Sequence, residues 1–290
     1  MILKHLKLTI FIVSTFLLLV LPSYAQTAYI IFDKSFYSLS IQEGERELFT
    51  TLAGYGLPGK HPKKSSGDFL TPEGAYQVVR LNPSMQYLYF AEVDYPNLND
   101  LSFAYFSGKI TFDDLIGYFT DEKIRIKVKK ILGNKIGIHG GGIFKVENGK
   151  RNFNWTQGCI AVDNDDLKKL LPYLKPGTKV FIINSSNSLF ELVRKLAYPK
   201  TVKPLDFWEG GLYLYKEPIT RIFFMIREEY NGKRKLIYEK WVDGRLIKRA
   251  ESGPDGRLSL SLEHQLKKDL IKYIHTLEDP YLERSFEAWK

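Results

Sequence analysis

The sequence predicts a mainly β protein. It reads as a β-sandwich core with few helices, followed by a small α+β unit made of a β-meander and a C-terminal helix. Three observations predict this. Short runs rich in Ile, Phe, Tyr, Leu and Thr recur between turn signals, and few segments carry helical spacing. In the last third, Asn-Gly and Asp-Gly dipeptides recur at regular intervals, as they do in hairpins. Hydrophobic residues make up 44% and aromatics 14% of the chain, enough for a packed core, which excludes global disorder.

The chain opens on Lys4 and Lys7, then an apolar run from Leu8 to Leu21, then Ser23-Tyr24-Ala25. This is the order of a secretory signal, with cleavage expected after Ala25, so residues 1–25 are read as a signal peptide. The run falls short of the roughly 20 apolar residues of a membrane span, so no integral span is expected after cleavage. The protein is therefore expected to be exported, to the periplasm or cell envelope. The formal net charge is +9, two units of which belong to that first segment. The remaining excess suits anionic envelope polymers. No cluster of basic and aromatic residues points to nucleic acid.

Residues 27–53 read as a β-hairpin turning at Glu43-Gly44. The stretch after it, dense in Gly, Pro, Ser and Lys, is expected to be loop as far as a short strand from Ala75 to Leu81. "QYLYFAEVDY" alternates like a half-buried strand. Residues 111–132 carry helical spacing with starts at Thr111 and Thr120. "NKIGIHGGG" reads as a buried strand closing on three glycines. "VDNDDLKKLLPYL" reads as a short helix capped by Asn164, and "KPGTKVFII" as a turn and the last strand of the first domain.

These elements give a first domain over 26–195, a linker over 196–210 rich in Pro and Gly, and an accessory domain over 211–290. In the accessory domain the turns are Asn231-Gly232, Asp243-Gly244 and Asp255-Gly256. A closing helix is expected to align Leu262, Leu266, Leu270, Ile274 and Leu277 on one face. His264 and His275 sit in that helical pattern as ordinary surface or packing residues.

"WTQGCIAVDN" holds Cys159, the only cysteine. One cysteine forms no internal disulfide, so Cys159 is either a small buried hydrophobe or a reactive thiol. A thiol near its ordinary pKa needs a base. His5 leaves with the signal and His61 lies in the polar loop. His139 ends a predicted strand that opens into glycines, where backbone can approach a substrate. Gly158 allows a tight turn, so the N–H groups of Gly158 and Cys159 could converge on an oxyanion. The carbonyl of Gly140 could hold the imidazole in one tautomer. One cysteine and one nearby histidine leave zinc short of ligands, so no metal is expected, and no other cofactor is called for.

His139-Gly140, then sixteen residues later Thr156-x-Gly158-Cys159-Ile160, resembles the signature of the L,D-transpeptidase catalytic domain family. "DKSFYSLSI" is similar to the family's opening strand, and "GDFLTPEGAY" to its Thr-Pro-x-Gly stretch beside the substrate groove. The match covers roughly residues 27 to 184. The resemblance implies a β-sandwich acting on peptidoglycan stem peptides. Cys159 is then the nucleophile, His139 the general base and then acid, Gly140 its orienter, and Gly158 an oxyanion donor. The resemblance also implies a thioester at the L,D bond, release of D-alanine, and transfer to an amine. With water as acceptor the outcome is L,D-carboxypeptidase trimming or the cutting of existing linkages. Thr71, Gly74, Tyr76, Gly141, Trp155, Thr156 and Gln157 become candidate substrate contacts.

One position departs from the pattern. Cross-linking members often carry an arginine two places after the cysteine, and Ala161 stands there. Alanine cannot bind a carboxylate bidentately. "WTQGCIA" is similar to a subgroup that includes members cutting peptidoglycan linkages. Lys60, His61 and Asp68 belong to a loop that is either a lid whose lysines meet substrate carboxylates or a solvated surface. Asp68 could instead form an Asx turn ahead of Thr71. A non-catalytic peptidoglycan-binding module, with Cys159 as packing, is the competing class.

Overall fold

The fold comes from a computed structural model that describes residues 28–44, 46–58, 62–197, 210–216, 222–230, 234–243, 245–253, 258–272, 274 and 277–278. The expected signal segment, Lys60, His61 and most of the expected linker lie outside the described residues.

Alternating apolar residues build the first strands. β1 (Tyr29–Asp33) pairs antiparallel with β2 (Ser38–Glu43), and β2 with β3 (Arg46–Leu52). The expected single hairpin is therefore three strands. Gly44 does turn the second pair, but an extra turn divides the first run, because the Asp33 carboxylate accepts the Ser35 N–H at 3.0 Å. β4 (Gly74–Ser84) and β5 (Leu88–Val93) follow, then β6 (Gly137–His139), the small hairpin β7 (Lys145–Glu147) and β8 (Lys150–Asn152), β9 (Ile160–Ala161) and β10 (Lys179–Ile183).

Eight of these strands form one sheet in the order β3-β2-β1-β10-β4-β5-β6-β9. The sheet curls until its two edges meet. Gly54, just past β3, exchanges two 2.8 Å hydrogen bonds with Ala161 in β9. The mainly β fold is thus as expected, with the two layers of the sandwich made by one curled sheet. Ile30, Phe32, Leu39 and Ile41 from one half pack with Val78, Ala91, Ile138 and Ile160 from the other, and Leu167 and Leu170 join them.

Three helices stand between β5 and β6: α1 (Leu98–Phe106), α2 (Phe112–Thr120) and α3 (Glu122–Leu132). They share a small core of Leu101, Leu115, Tyr118, Val128 and Leu132. Thr111 caps α2 as expected, with a reciprocal capping box to Asp114. The second start is one residue later than expected: Asp121 caps α3, accepting from Lys123 and Ile124, while Thr120 ends α2. α1 was not expected, although Asn97 and Asp100 form its capping box.

α4 (Asn164–Leu170) starts at Asp163, which makes no side-chain cap. Asn164 is not the cap, because its carboxamide oxygen is claimed by the Gly141 N–H at 2.9 Å. After β10 comes α5 (Leu189–Ala197). The second region has the expected meander, in the order β14 (Arg245–Glu251), β13 (Arg234–Val242), β12 (Ile222–Tyr230) and β11 (Gly210–Lys216), with β15 (Leu277–Glu278) added beside β11. Asp243 adopts the positive φ of 49° that its Asp-Gly turn requires. Asn231, Gly232, Gly244, Asp255 and Gly256 lie outside the described residues. β14 leads into a helix, α6 (Leu260–Lys272), and not into a further hairpin strand. α6 buries Leu266 and Leu270, but Ile274 lies past its end and Leu277 is in β15. Leu266, Leu270 and Ile274 pack with Tyr238 of β13 and with Leu189, Leu192 and Leu196 of α5 against Ile31, Phe181 and Ile183, on the outer side of the sheet.

A buried ion cluster ties the Thr71–Gly74 stretch to α5. The Glu73 carboxylate accepts from Lys34 at 2.8 Å, Lys195 at 2.6 Å and Asn187 at 3.1 Å. Removing it by Glu73→Ala strands two buried ammonium groups, so denaturant unfolding should show a loss of about 3–5 kcal/mol. A loss under about 1 kcal/mol would place the cluster in the surface class.

Candidate active site

Strand register puts the thiol and the imidazole on one face. β6 and β9 run parallel, with Ile138 opposite Ile160 and His139 opposite Ala161. Ile138 and Ile160 are both buried in the inner core. Side chains alternate along a strand, so His139 and Cys159, each one residue away, project from the opposite face. Gly137 is packed tightly against β5, since a Cβ there would lie 2.3 Å from the Ala91 carbonyl oxygen and 2.9 Å from the Phe90 ring.

His139 is only 3% exposed. Its ring lies against Tyr87 at 4.2 Å, Phe90 at 6.2 Å and Trp155 edge-on at 5.9 Å between centroids. Its Nδ1 sits 2.6 Å from the carbonyl oxygen of Gly140, an acceptor, which fixes the proton on Nδ1 and leaves Nε2 as the base. Gly140 is where the sequence expects the orienter, and it is held in turn by its N–H donating to the Tyr87 carbonyl at 3.0 Å. Burial lowers the pKa of His139; the hydrogen bond to Gly140 raises it, and the nearby Lys145 ammonium lowers it further, for a net decrease.

Cys159 is half-buried, and its thiol donates to the Lys135 carbonyl at 3.4 Å. The two side chains are not hydrogen-bonded to each other in this resting arrangement. Burial pushes the thiol up to about 11, with Glu92 in the same direction; a backbone hydrogen bond from Gly137 and the charge of Lys63 act against it. Both groups are therefore neutral near pH 7. Such a thiol should alkylate slowly at neutral pH, and the rate should climb about tenfold per pH unit toward a pKa near 11. A rate plateau near pH 7 would reveal a preformed thiolate and contradict this.

The loop between them is tightly tied. Thr156 Oγ1 donates to the Cys159 carbonyl at 2.6 Å and accepts the Gly158 N–H at 3.2 Å. The Gly158 N–H is thus engaged within its own turn, not turned toward an incoming oxyanion as the sequence suggested. Gly158 has φ +116°, and a Cβ there would lie 2.7 Å from the Leu70 carbonyl oxygen and 3.0 Å from Ile136 Cδ1. Gln157 is exposed beside it. Trp155 carries the Lys145 ammonium over its ring at 4.4 Å. Its own indole N–H is buried without an acceptor among the described residues, a cost of about 1–3 kcal/mol.

Other expected contacts lie further back. Thr71 is fully buried: its hydroxyl accepts the Gly56 N–H at 3.0 Å and its carbonyl accepts from Lys34 at 3.4 Å. It therefore braces Gly56, whose backbone lies against that of Gly158. Tyr76 is buried and donates to Asp100 at 3.0 Å, and Gly74 packs against its ring. Asp68 forms the Asx turn, accepting from the N–H groups of Lys64, Ser65 and Leu70 and pairing with Lys63 at 2.8 Å. Burial raises its pKa, but those hydrogen bonds outweigh burial and hold the carboxyl below its usual range.

Sequence reasoning passed over Tyr87, Phe90, Lys63, Lys135 and Lys145. Phe90 was available in principle, since alternation in "QYLYFAEVDY" fixes its face once β5 is paired with β6, where it stands opposite His139. A cavity of about 730 Å³ lies beyond Glu92, lined by Gln77, Val79, Asp94, Phe119 and Arg125 among others. Neither Cys159 nor His139 lines it, so this cavity does not mark the site.

The fold and the paired strands define a β protein that presents a lone cysteine and an oriented histidine on one face of a curled sheet. The chain belongs to the YkuD family, described as the L,D-transpeptidase catalytic domain, whose model matches residues 27–182. An L,D-transpeptidase (Yku) from Stackebrandtia nassauensis is 13% identical, with 55% of this chain and 56% of that chain covered at a TM-score of 0.32. An L,D-transpeptidase from Mycobacterium smegmatis is 11% identical, with 53% and 58% covered and a TM-score of 0.32. The catalytic domain of the Enterococcus faecium L,D-transpeptidase is 14% identical, with 56% and 100% covered and a TM-score of 0.33. The chain spans about half the length of the first of these structures. A comparison with curated proteins returned no match.

Proposed function

We propose that this protein is a peptidoglycan-modifying cysteine acyltransferase of the L,D-transpeptidase type. The observation that carries the reading is the register of β6 and β9, which puts Cys159 and His139 on one face, with His139 Nδ1 held by Gly140 at 2.6 Å. The resting thiol leaves Lys135 by rotation about its Cα–Cβ bond and attacks the carbonyl carbon of the L,D bond as Nε2 of His139 takes its proton. The C–N bond then breaks, and the same proton passes to the leaving amine of D-alanine. The stem peptide remains as a thioester on Cys159. A second amine, deprotonated by His139, attacks that thioester and completes the transfer, and water in its place gives trimming. The neutral state of both groups suits this order, because the base must be free to accept the proton when attack begins.

Residues 1–25 act as the export signal, 26–195 as the catalytic domain and 211–290 as an accessory domain, so the protein works in the periplasm or cell envelope on stem peptides. The test is mass spectrometry of disaccharide-tetrapeptide and of cross-linked wall material after incubation with the enzyme. Cross-linked dimers with release of D-alanine are expected. D-Alanine release without dimers makes water the acceptor, split dimers or released linked protein make it a linkage-cutting hydrolase, and unchanged material leaves the binding-module class.

A further inference from the structure

We propose that Lys145 is the carboxylate anchor of this site, selecting acyl donors whose leaving residue ends in a free α-carboxylate. This rests on the thioester reading above and assigns a specificity-determining residue to the same site. Position 161 stands beside His139 in the strand register, yet it holds an alanine that is fully buried. The cation beside the imidazole comes instead from the β7–β8 hairpin.

Among the described residues, two ammonium groups act electrostatically on the pair, Lys145 on His139 and Lys63 on Cys159. Lys63 is buried and neutralised by Asp68 at 2.8 Å, with a further bond to the Ser65 carbonyl at 3.0 Å. Lys145 is exposed and makes no ion pair with a carboxylate among the described residues. One of its N–H groups donates to the Gly141 carbonyl at 2.9 Å, and the ammonium rests 4.4 Å from the Trp155 ring centre. An ammonium has three donors, so the others are open to a ligand. The indole face holds the charge in place before a ligand arrives, which lowers the entropy lost on binding. Asp163, Asp165 and Asp166 line a separate cavity with Gly141 and Gly142, in which Lys145 takes no part.

The chemistry says which carboxylate this charge meets. His139 hands its proton to the leaving nitrogen, so that nitrogen must come to the imidazole. In a C-terminal amino acid the same α-carbon carries both the leaving nitrogen and the carboxylate. A free carboxylate on the leaving residue therefore lies on the His139 side, next to Trp155 and its bound ammonium. A donor whose leaving residue continues as a peptide or amide lacks that charge.

The test compares acyl-enzyme formation, read by intact mass over time, with a disaccharide-tetrapeptide and with the same donor carrying a C-terminal carboxamide. Wild-type protein should favour the free acid by on the order of 10- to 100-fold, the range of a charge-assisted hydrogen bond. Lys145→Met should bring the ratio close to one, with the loss falling mainly on the acid donor, and Lys145→Arg should restore most of the preference. A Lys145→Met protein that keeps the full preference would overturn the proposal. So would one that slows both donors equally, which would make Lys145 only a support for Trp155. If neither donor acylates the wild-type protein, the thioester reading itself fails and this inference falls with it.

Discussion

His139→Ala should lower the rate of Cys159 acylation by about 10²- to 10⁴-fold, the usual contribution of a positioned general base. The size follows from the state of the thiol. It is protonated, donates to the Lys135 carbonyl and is pushed up to about 11, so without the imidazole almost no thiolate exists near pH 7. The deficit should shrink as pH rises, because the thiolate then forms without help and general-base removal matters less. Stopped-flow or quenched measurement of the acyl-enzyme from roughly pH 7 to 10 checks both parts. A variant within about twofold of wild type at neutral pH would mean that the imidazole takes no proton. The fold should survive the change, since the His139 ring contacts are aromatic neighbours at the edge of the site and the core residues Ile138 and Ile160 are untouched.

Gly158→Ala should be nearly as damaging. Its φ of +116° is unfavourable for an L side chain, and the new methyl would meet a backbone oxygen, Leu70 O, at 2.7 Å. A main-chain atom cannot step aside as a flexible side chain can. The loop must shift, and with it the two bonds of Thr156 Oγ1 that hold Gly158 and Cys159. Acylation should fall by about 10²-fold, the cost of displacing by about an ångström the nucleophile that this turn positions. Single-turnover rates alongside circular dichroism check this. A folded variant with wild-type acylation would show that the turn has no part in the chemistry.

Much of the fold was legible in the sequence, since alternation and turn dipeptides report what one strand does locally. The strands around Gly74–Ser84, Leu88–Val93 and Gly137–His139 follow from such patterns. Errors arose where tertiary partners overrode local preference. Asn164 has the chemistry of a helix cap, but the Gly141 N–H claims its oxygen. A further miss was local: Asp33 ends β1, and its carboxylate turns the chain by accepting the Ser35 N–H.

The site was legible as types of residue and not as an arrangement. Cys159, His139 and Gly140 could be named because each performs a chemically distinctive task. Their common face depends on the pairing of β6 with β9, and no local pattern carries that register. The same holds for Tyr87, in the turn between β4 and β5, and for Lys145, at the start of β7, which come to the imidazole from separate hairpins. Asp68 was the easier case, because an Asx turn is closed by its own neighbours.

The most direct measurement is the intact mass of the purified protein held with disaccharide-tetrapeptide and rapidly acid-quenched, for wild type and Cys159→Ala. The expected result is an adduct equal to the donor less D-alanine, mapped by peptide sequencing to Cys159 and missing from the variant. An adduct that persists in Cys159→Ala, or D-alanine released by that variant at the wild-type rate, would contradict the sulfur as nucleophile.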